Sequence, residues 1–93
     1  MLKIADCRAL AEHRLNRIAA QCETDLVMLE RTFELGVTVA FFYQSAEYER
    51  TGNSMAALAG NGPILVNKVS GAVDVAGTAM PIEEYIKEFE ARA

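Results

Sequence analysis

The stretch LVMLERTFELGVTVAFFYQ, residues 26–44, decides the fold. Its halves, 26–33 and 37–44, are rich in β-branched and aromatic residues, and Glu34-Leu35-Gly36 lies between them. That pattern predicts a β-hairpin. Pairing Phe33 with Val37 collects Val27, Leu29, Phe33, Val37, Val39, Phe41 and Tyr43 on one face. Arg31 is the only charge there, and its long stem lets it snorkel to the edge. The opposite face carries Leu26, Met28, Glu30, Thr32, Thr38, Ala40, Phe42 and Gln44. The first face is the expected core.

Upstream, Ile4, Cys7, Ala11, Leu15, Ile18 and Cys22 recur at spacings of three and four. They form the apolar stripe of an amphipathic helix over about residues 3–21, with Arg8, Glu12, Arg14, Asn16 and Arg17 off the stripe. Downstream, Ser45 to Gly60 is expected to be irregular, with helical turns around 46–50 and 54–59 that stop at Gly52 and Gly60. Asn61-Gly62-Pro63 breaks the chain before a second hairpin, 64–69 and 72–76, joined through Ser70-Gly71. Its inward set is Ile64, Val66, Val73 and Val75, with Leu65, Asn67, Asp74 and Ala76 facing away. Pro81 then starts a helix on which Ile82, Tyr85, Ile86 and Phe89 fall at helical spacing. Glu83 and Glu84 sit in its first turn and Lys87 and Arg92 nearer its end, as the helix dipole prefers.

The element order is thus α-β-β-β-β-α in a single domain over residues 1–93. The expected fold class is α+β, an antiparallel four-stranded sheet with the N-terminal and C-terminal helices packed on one face.

The 52% apolar and 24% charged content is that of a folded domain rather than a disordered chain. Ninety-three residues leave little room for a deep enclosed active site. A net charge of −4 argues against nucleic acid as partner and favours a basic protein. Asp6, Arg8, Glu12, Arg14 and Arg17 interrupt any apolar core near the N-terminus, so no signal peptide is read there. No stretch approaches a membrane span, and the expected location is cytoplasmic. Two cysteines and one histidine make no common zinc site, and reduced, packed thiols are the expected state.

The residues offer little for catalysis. His13 lies among charges with no nucleophile or acid at a catalytic spacing. Cys7 and Cys22 lie on the helix stripe, which favours packing over reactivity. Gly60-Asn61-Gly62-Pro63 lacks the pattern of a phosphate loop and precedes a strand rather than a helix. Glu83 and Glu84, as adjacent helix residues, do not face each other. No catalytic residue, metal ligand or cofactor site is assigned. If both helices cover one sheet face, Leu26, Met28, Ala40, Phe42 and Leu65 lie exposed on the other, rimmed by Glu30, Gln44, Asn67 and Asp74. Such a patch fits a protein partner, a covering loop such as 45–60, or a homodimer face.

The ordered set Phe41-Phe42-Tyr43-Gln44-Ser45, Tyr48, Thr51-Gly52, Leu58-Ala59-Gly60-Asn61-Gly62-Pro63 and Ile64-Leu65-Val66 resembles the immunity protein 35, or YrhB-like, family. Ser70-Gly71, Gly77-Thr78-Ala79 and Pro81-Ile82-Glu83-Glu84-Tyr85-Ile86 continue the resemblance, which runs from about residue 37 to 90. One departure is Val39, where members often carry a tryptophan just before the paired aromatics. The resemblance implies a non-catalytic antitoxin that binds and neutralises a cognate toxin of a bacterial polymorphic toxin system. A papain-like protease toxin, occluded at its active site, is the implied class. The runner-up is a chaperone-like interaction domain that uses the same apolar surface promiscuously. The motif glycines and prolines then serve the fold. The expected partner-binding residues are Met28, Glu30, Phe42 and Gln44 on the open sheet face, with Glu47, Tyr48 and Glu49 beside it.

Overall fold

A computed structural model of the chain describes residues 1–53, 55 and 62–92. Helix α1 (Ile4–Cys22) leads into the hairpin β1 (Leu26–Leu35) and β2 (Thr38–Ser45). A short helix, α2 (Ala46–Thr51), follows, then β3 (Ile64–Asn67), β4 (Val73–Val75) and helix α3 (Ile82–Arg92). The four strands form one antiparallel sheet in the order β1-β2-β3-β4. The α+β class and the element order are as expected. The turn expected at 54–59 lies, Met55 apart, outside the described residues.

The middle of the α1 stripe does the packing. Cys7, Ala11 and Leu15 are buried, whereas Ile4 and Cys22, at the ends of the helix, are exposed. The stripe meets Val39, Phe41 and Tyr43 of β2 and Ile64 and Val66 of β3, flanked by Val73 and Val75 of β4. The inward set read for the second hairpin is therefore observed.

The first hairpin differs from its expected register. The partners are Leu35 with Thr38 and Phe33 with Ala40, so the loop is the two residues Gly36-Val37. Gly36 has φ 59° at the first loop position, a conformation that two-residue hairpin turns favour. Between Met28, opposite Tyr43, and Thr32, opposite Phe41, the ladder is interrupted. Leu29, Glu30 and Arg31 oppose Phe42 alone, an extended bulge on the sheet's edge strand. Because Phe33 pairs with Ala40 rather than with Val37, Phe33 turns to the other side, and Leu26 and Met28, in step with Thr32 across the bulge, pack under α1.

That other side is covered as well, which corrects the expectation of both helices on one face. Ile86 and Phe89 of α3 pack with Ala40, Leu65 and Ala76, and Phe33, Ala72, Ile82 and Tyr85 border this second cluster. Since Ala40 and Leu65 alternate with the residues under α1, the helices lie on opposite faces and the sheet is the middle layer. The physical reason is the apolar continuity of the central strands. β2 reads Val-Ala-Phe-Phe and β3 Ile-Leu-Val, the pattern of strands buried on both sides.

Side chains fasten both helices. The Arg8 guanidinium donates to the carbonyls of Leu29 and Glu30, each at 3.2 Å, and lies 5.2 Å from the centroid of the Phe41 ring. It occupies carbonyls at the bulge that the interrupted ladder does not use. Across the sheet, the Glu90 carboxylate accepts from the Val37 N–H at 3.0 Å and from the Thr38 hydroxyl at 2.6 Å, tying α3 to the hairpin turn.

Candidate functional site

The described residues also form a sizeable apolar concavity. It lies beside α3, where the bulge, the end of β2 and the bend before α3 meet. Its volume is ≈ 440 Å³, and its walls include Arg31, Phe33, Phe42, Pro63, Met80 and Ile82. Phe42 alternates with Phe41 and Tyr43 along β2, so it faces the α3 side, where it is half-buried. Arg31 is exposed, with its guanidinium carbon 4.4 Å from the Phe42 ring centroid. Such stacking is attractive through the ring quadrupole. Arg31 was expected on the core face; the two-residue turn, which pairs Phe33 with Ala40, places it on the α3 side at the rim of this groove.

The seven expected contact residues do not share one patch. Met28 packs beneath α1, which corrects its place beside Phe42 on an open face. Leu26 lies there too, and Ala40 and Leu65 are buried under α3, so the large exposed patch expected on the sheet is not present. Glu30 is exposed in the bulge. Gln44 lies on the same side of β2 as Phe42, and its side-chain oxygen accepts from the Ser45 N–H at 2.9 Å. Glu47 and Glu49 are exposed on α2 and Tyr48 is half-buried. The Ser45 hydroxyl oxygen caps that helix by accepting from the Tyr48 N–H at 3.1 Å. Asn67, expected at the rim, is buried and accepts from the Val69 and Ser70 N–H groups. The residues missed beforehand are Phe33, Pro63, Met80 and Ile82. The adjacent charges Glu30-Arg31 inside an apolar strand were the available signal of an edge bulge.

The polar chemistry is modest. Cys7 is fully buried, and burial pushes its thiol above the ordinary value. His13 is exposed on α1. Among the described residues no group of three or more His, Cys, Asp or Glu is placed to hold a metal ion. No helix among them is long and apolar enough to cross a membrane.

The family model for immunity protein 35 matches residues 5–88. The chain belongs to the immunity protein 35 family. The match takes in α1 and β1 as well as the stretch from Phe41 to Tyr85. A similar protein of the family is the uncharacterized protein YrhB of Escherichia coli (strain K12), 42% identical over 50 residues. That alignment covers 54% of this chain and 53% of the relative, so it spans about half the length of each. No solved structure matches the chain. Family membership supports an immunity role.

Gly62 and Tyr85, two of the residues that carry the family likeness, serve the fold. A Cβ on Gly62 would lie 1.8 Å from the Ala76 carbonyl oxygen, so only glycine permits that backbone approach. The Tyr85 hydroxyl accepts from the Ala79 N–H at 2.9 Å, pinning the bend before α3. Val39, the departure from the family's tryptophan, is fully buried beneath α1 beside Phe41, which makes it a core position.

Proposed function

We propose that this protein is the inhibitor half of a toxin–immunity pair, neutralising a bacterial polymorphic or secreted effector toxin by binding it. The family match over residues 5–88 carries this reading. The toxin class we assign is a papain-like protease, and the mode of inhibition is occlusion of its active-site cleft. Occlusion needs a preorganised surface rather than catalytic groups. A sheet packed on both faces and fastened by Arg8 and Glu90 supports such rigidity. The contact surface we assign comprises Phe42, Gln44 and Glu30 with Glu47, Tyr48 and Glu49 of α2; Met28, packed under α1, is left out. The protein acts in the cytoplasm and without chemistry of its own.

The test is co-expression with the C-terminal domain encoded by the adjacent gene. Growth rescue and a tight complex are expected, and failure of both sinks the reading. Occlusion is read separately: the toxin's catalytic cysteine should lose reactivity towards an alkylating probe in the complex. Full reactivity in an inhibited complex would exclude occlusion.

A further inference from the structure

The groove beside α3 combines two features whose joint consequence is a specific ligand chemistry. Its walls are apolar, with Phe33, Phe42 and Ile82 forming a slot wide enough for one large side chain. At its rim stands a cation. The Arg31 guanidinium carbon lies over the Phe42 ring, 4.4 Å from its centroid, a contact that favours this placement of the cation. No carboxylate among the described residues pairs with it: Glu34 is taken by Lys68 at 2.9 Å and Asp74 by Arg92 at 3.1 Å. A guanidinium held against a ring by its charge still has N–H groups to donate, and a carboxylate is the group that fits two of them at once.

We propose that this groove receives a hydrophobic side chain of the toxin that is flanked in sequence by an aspartate or glutamate. The side chain enters between Phe33, Phe42 and Ile82, and the neighbouring carboxylate pairs with Arg31. This rests on the reading that the chain binds a toxin. The net charge of −4 still steers a basic partner at long range, whereas Arg31 acts only at contact.

Two experiments test it. In the first, capped tetrapeptides holding leucine followed by glutamate, glutamine or lysine are titrated into the isotope-labelled protein. The glutamate peptide should shift the Phe42 and Ile82 signals and bind several-fold more tightly than the glutamine peptide, with the lysine peptide weakest. Equal binding of all three, or no shift at the groove, overturns the proposal. In the second, the toxin domain of the adjacent gene is bound to R31E, R31Q and F42A, with R17E as a control on exposed α1 surface. The three groove variants should weaken the complex, R31E and F42A by about 30-fold, as for a central interface anchor. R17E should leave it unchanged. Arg31 is exposed, so R31Q keeps the fold and removes only the charge. If the groove variants bind like the parent, the groove proposal fails while the immunity reading stands. If the parent chain does not bind the toxin domain, the immunity reading fails and the peptides alone decide the groove. Overhauser contacts from the Leu58 methyls to the Phe42 ring in the free protein, or a homodimer that F42A dissociates, give the groove another occupant and also overturn it.

Discussion

Replacing Arg8 with alanine removes two hydrogen bonds to the bulge carbonyls and a contact with the Phe41 ring. The expected loss is about 1–2 kcal/mol in urea denaturation, because a charged donor to a carbonyl outweighs a neutral one. Gly62→Ala should cost more, about 3 kcal/mol or beyond, because the new methyl meets backbone at Ala76 rather than a side chain that can swing away. Cys7 offers a chemical readout. Its burial and raised thiol pKa predict that iodoacetamide alkylates the exposed Cys22 in the native protein and reaches Cys7 only on unfolding. The sign of the pH effect follows from the same shift. Below about 9 the thiol is neutral folded and unfolded and its burial is not opposed; above that value the unfolded chain ionises first, so this contribution to stability is lost as pH rises. Single residues were only partly legible in the sequence. The period of α1 identified Cys7 as packed, but it could not show that the end of the stripe at Cys22 overshoots the sheet.

At the level of elements, hydrophobic periodicity located both long helices and all four strands, and it selected the buried side of the second hairpin correctly. The first hairpin was read one side out on β1 because its loop is two residues long rather than three. The shorter turn moves the pairing by an odd number of residues and so exchanges the faces, whereas the span 29–31 moves it by two and leaves them; neither changes the residue types that mark a strand. The side chosen by α3 was invisible for a related reason. Ala40 and Leu65 were read as a surface patch, yet in central strands they are a second core awaiting a cover. Glu90 is the main polar tie between that cover and the hairpin turn. Glu90→Ala should lower stability by about 2 kcal/mol, as for charge-assisted hydrogen bonds, and Glu90→Gln by less because an acceptor oxygen remains. Hydrogen exchange at Val37 measures this directly: its amide should lose protection in Glu90→Ala while the β3 amides keep theirs.

For the molecule as a whole, burying a sheet on both sides makes stability depend on three layers rather than two. Ending the chain at Pro81 removes Ile86 and Phe89 and bares Ala40, Leu65 and Ala76. Such a chain should bind a hydrophobic dye and associate, with α1 and the sheet still visible by circular dichroism. A monomer that excludes the dye would show that α3 is dispensable. The class and order of the fold were readable because they depend on periodicity. The groove was not, because it arises where the bulge, β2 and the bend before α3 meet, and no local pattern encodes that meeting. The position of α3 also has a consequence in time. The ribosome makes Leu65 of β3 24 residues before Phe89, and at roughly 5–20 residues per second the delay is about 1–5 s. In that interval the apolar side of the sheet has no α3 to close it, so a nascent chain stalled before Ile82 is expected to be held by factors that bind exposed apolar surface, and one carrying α3 is not.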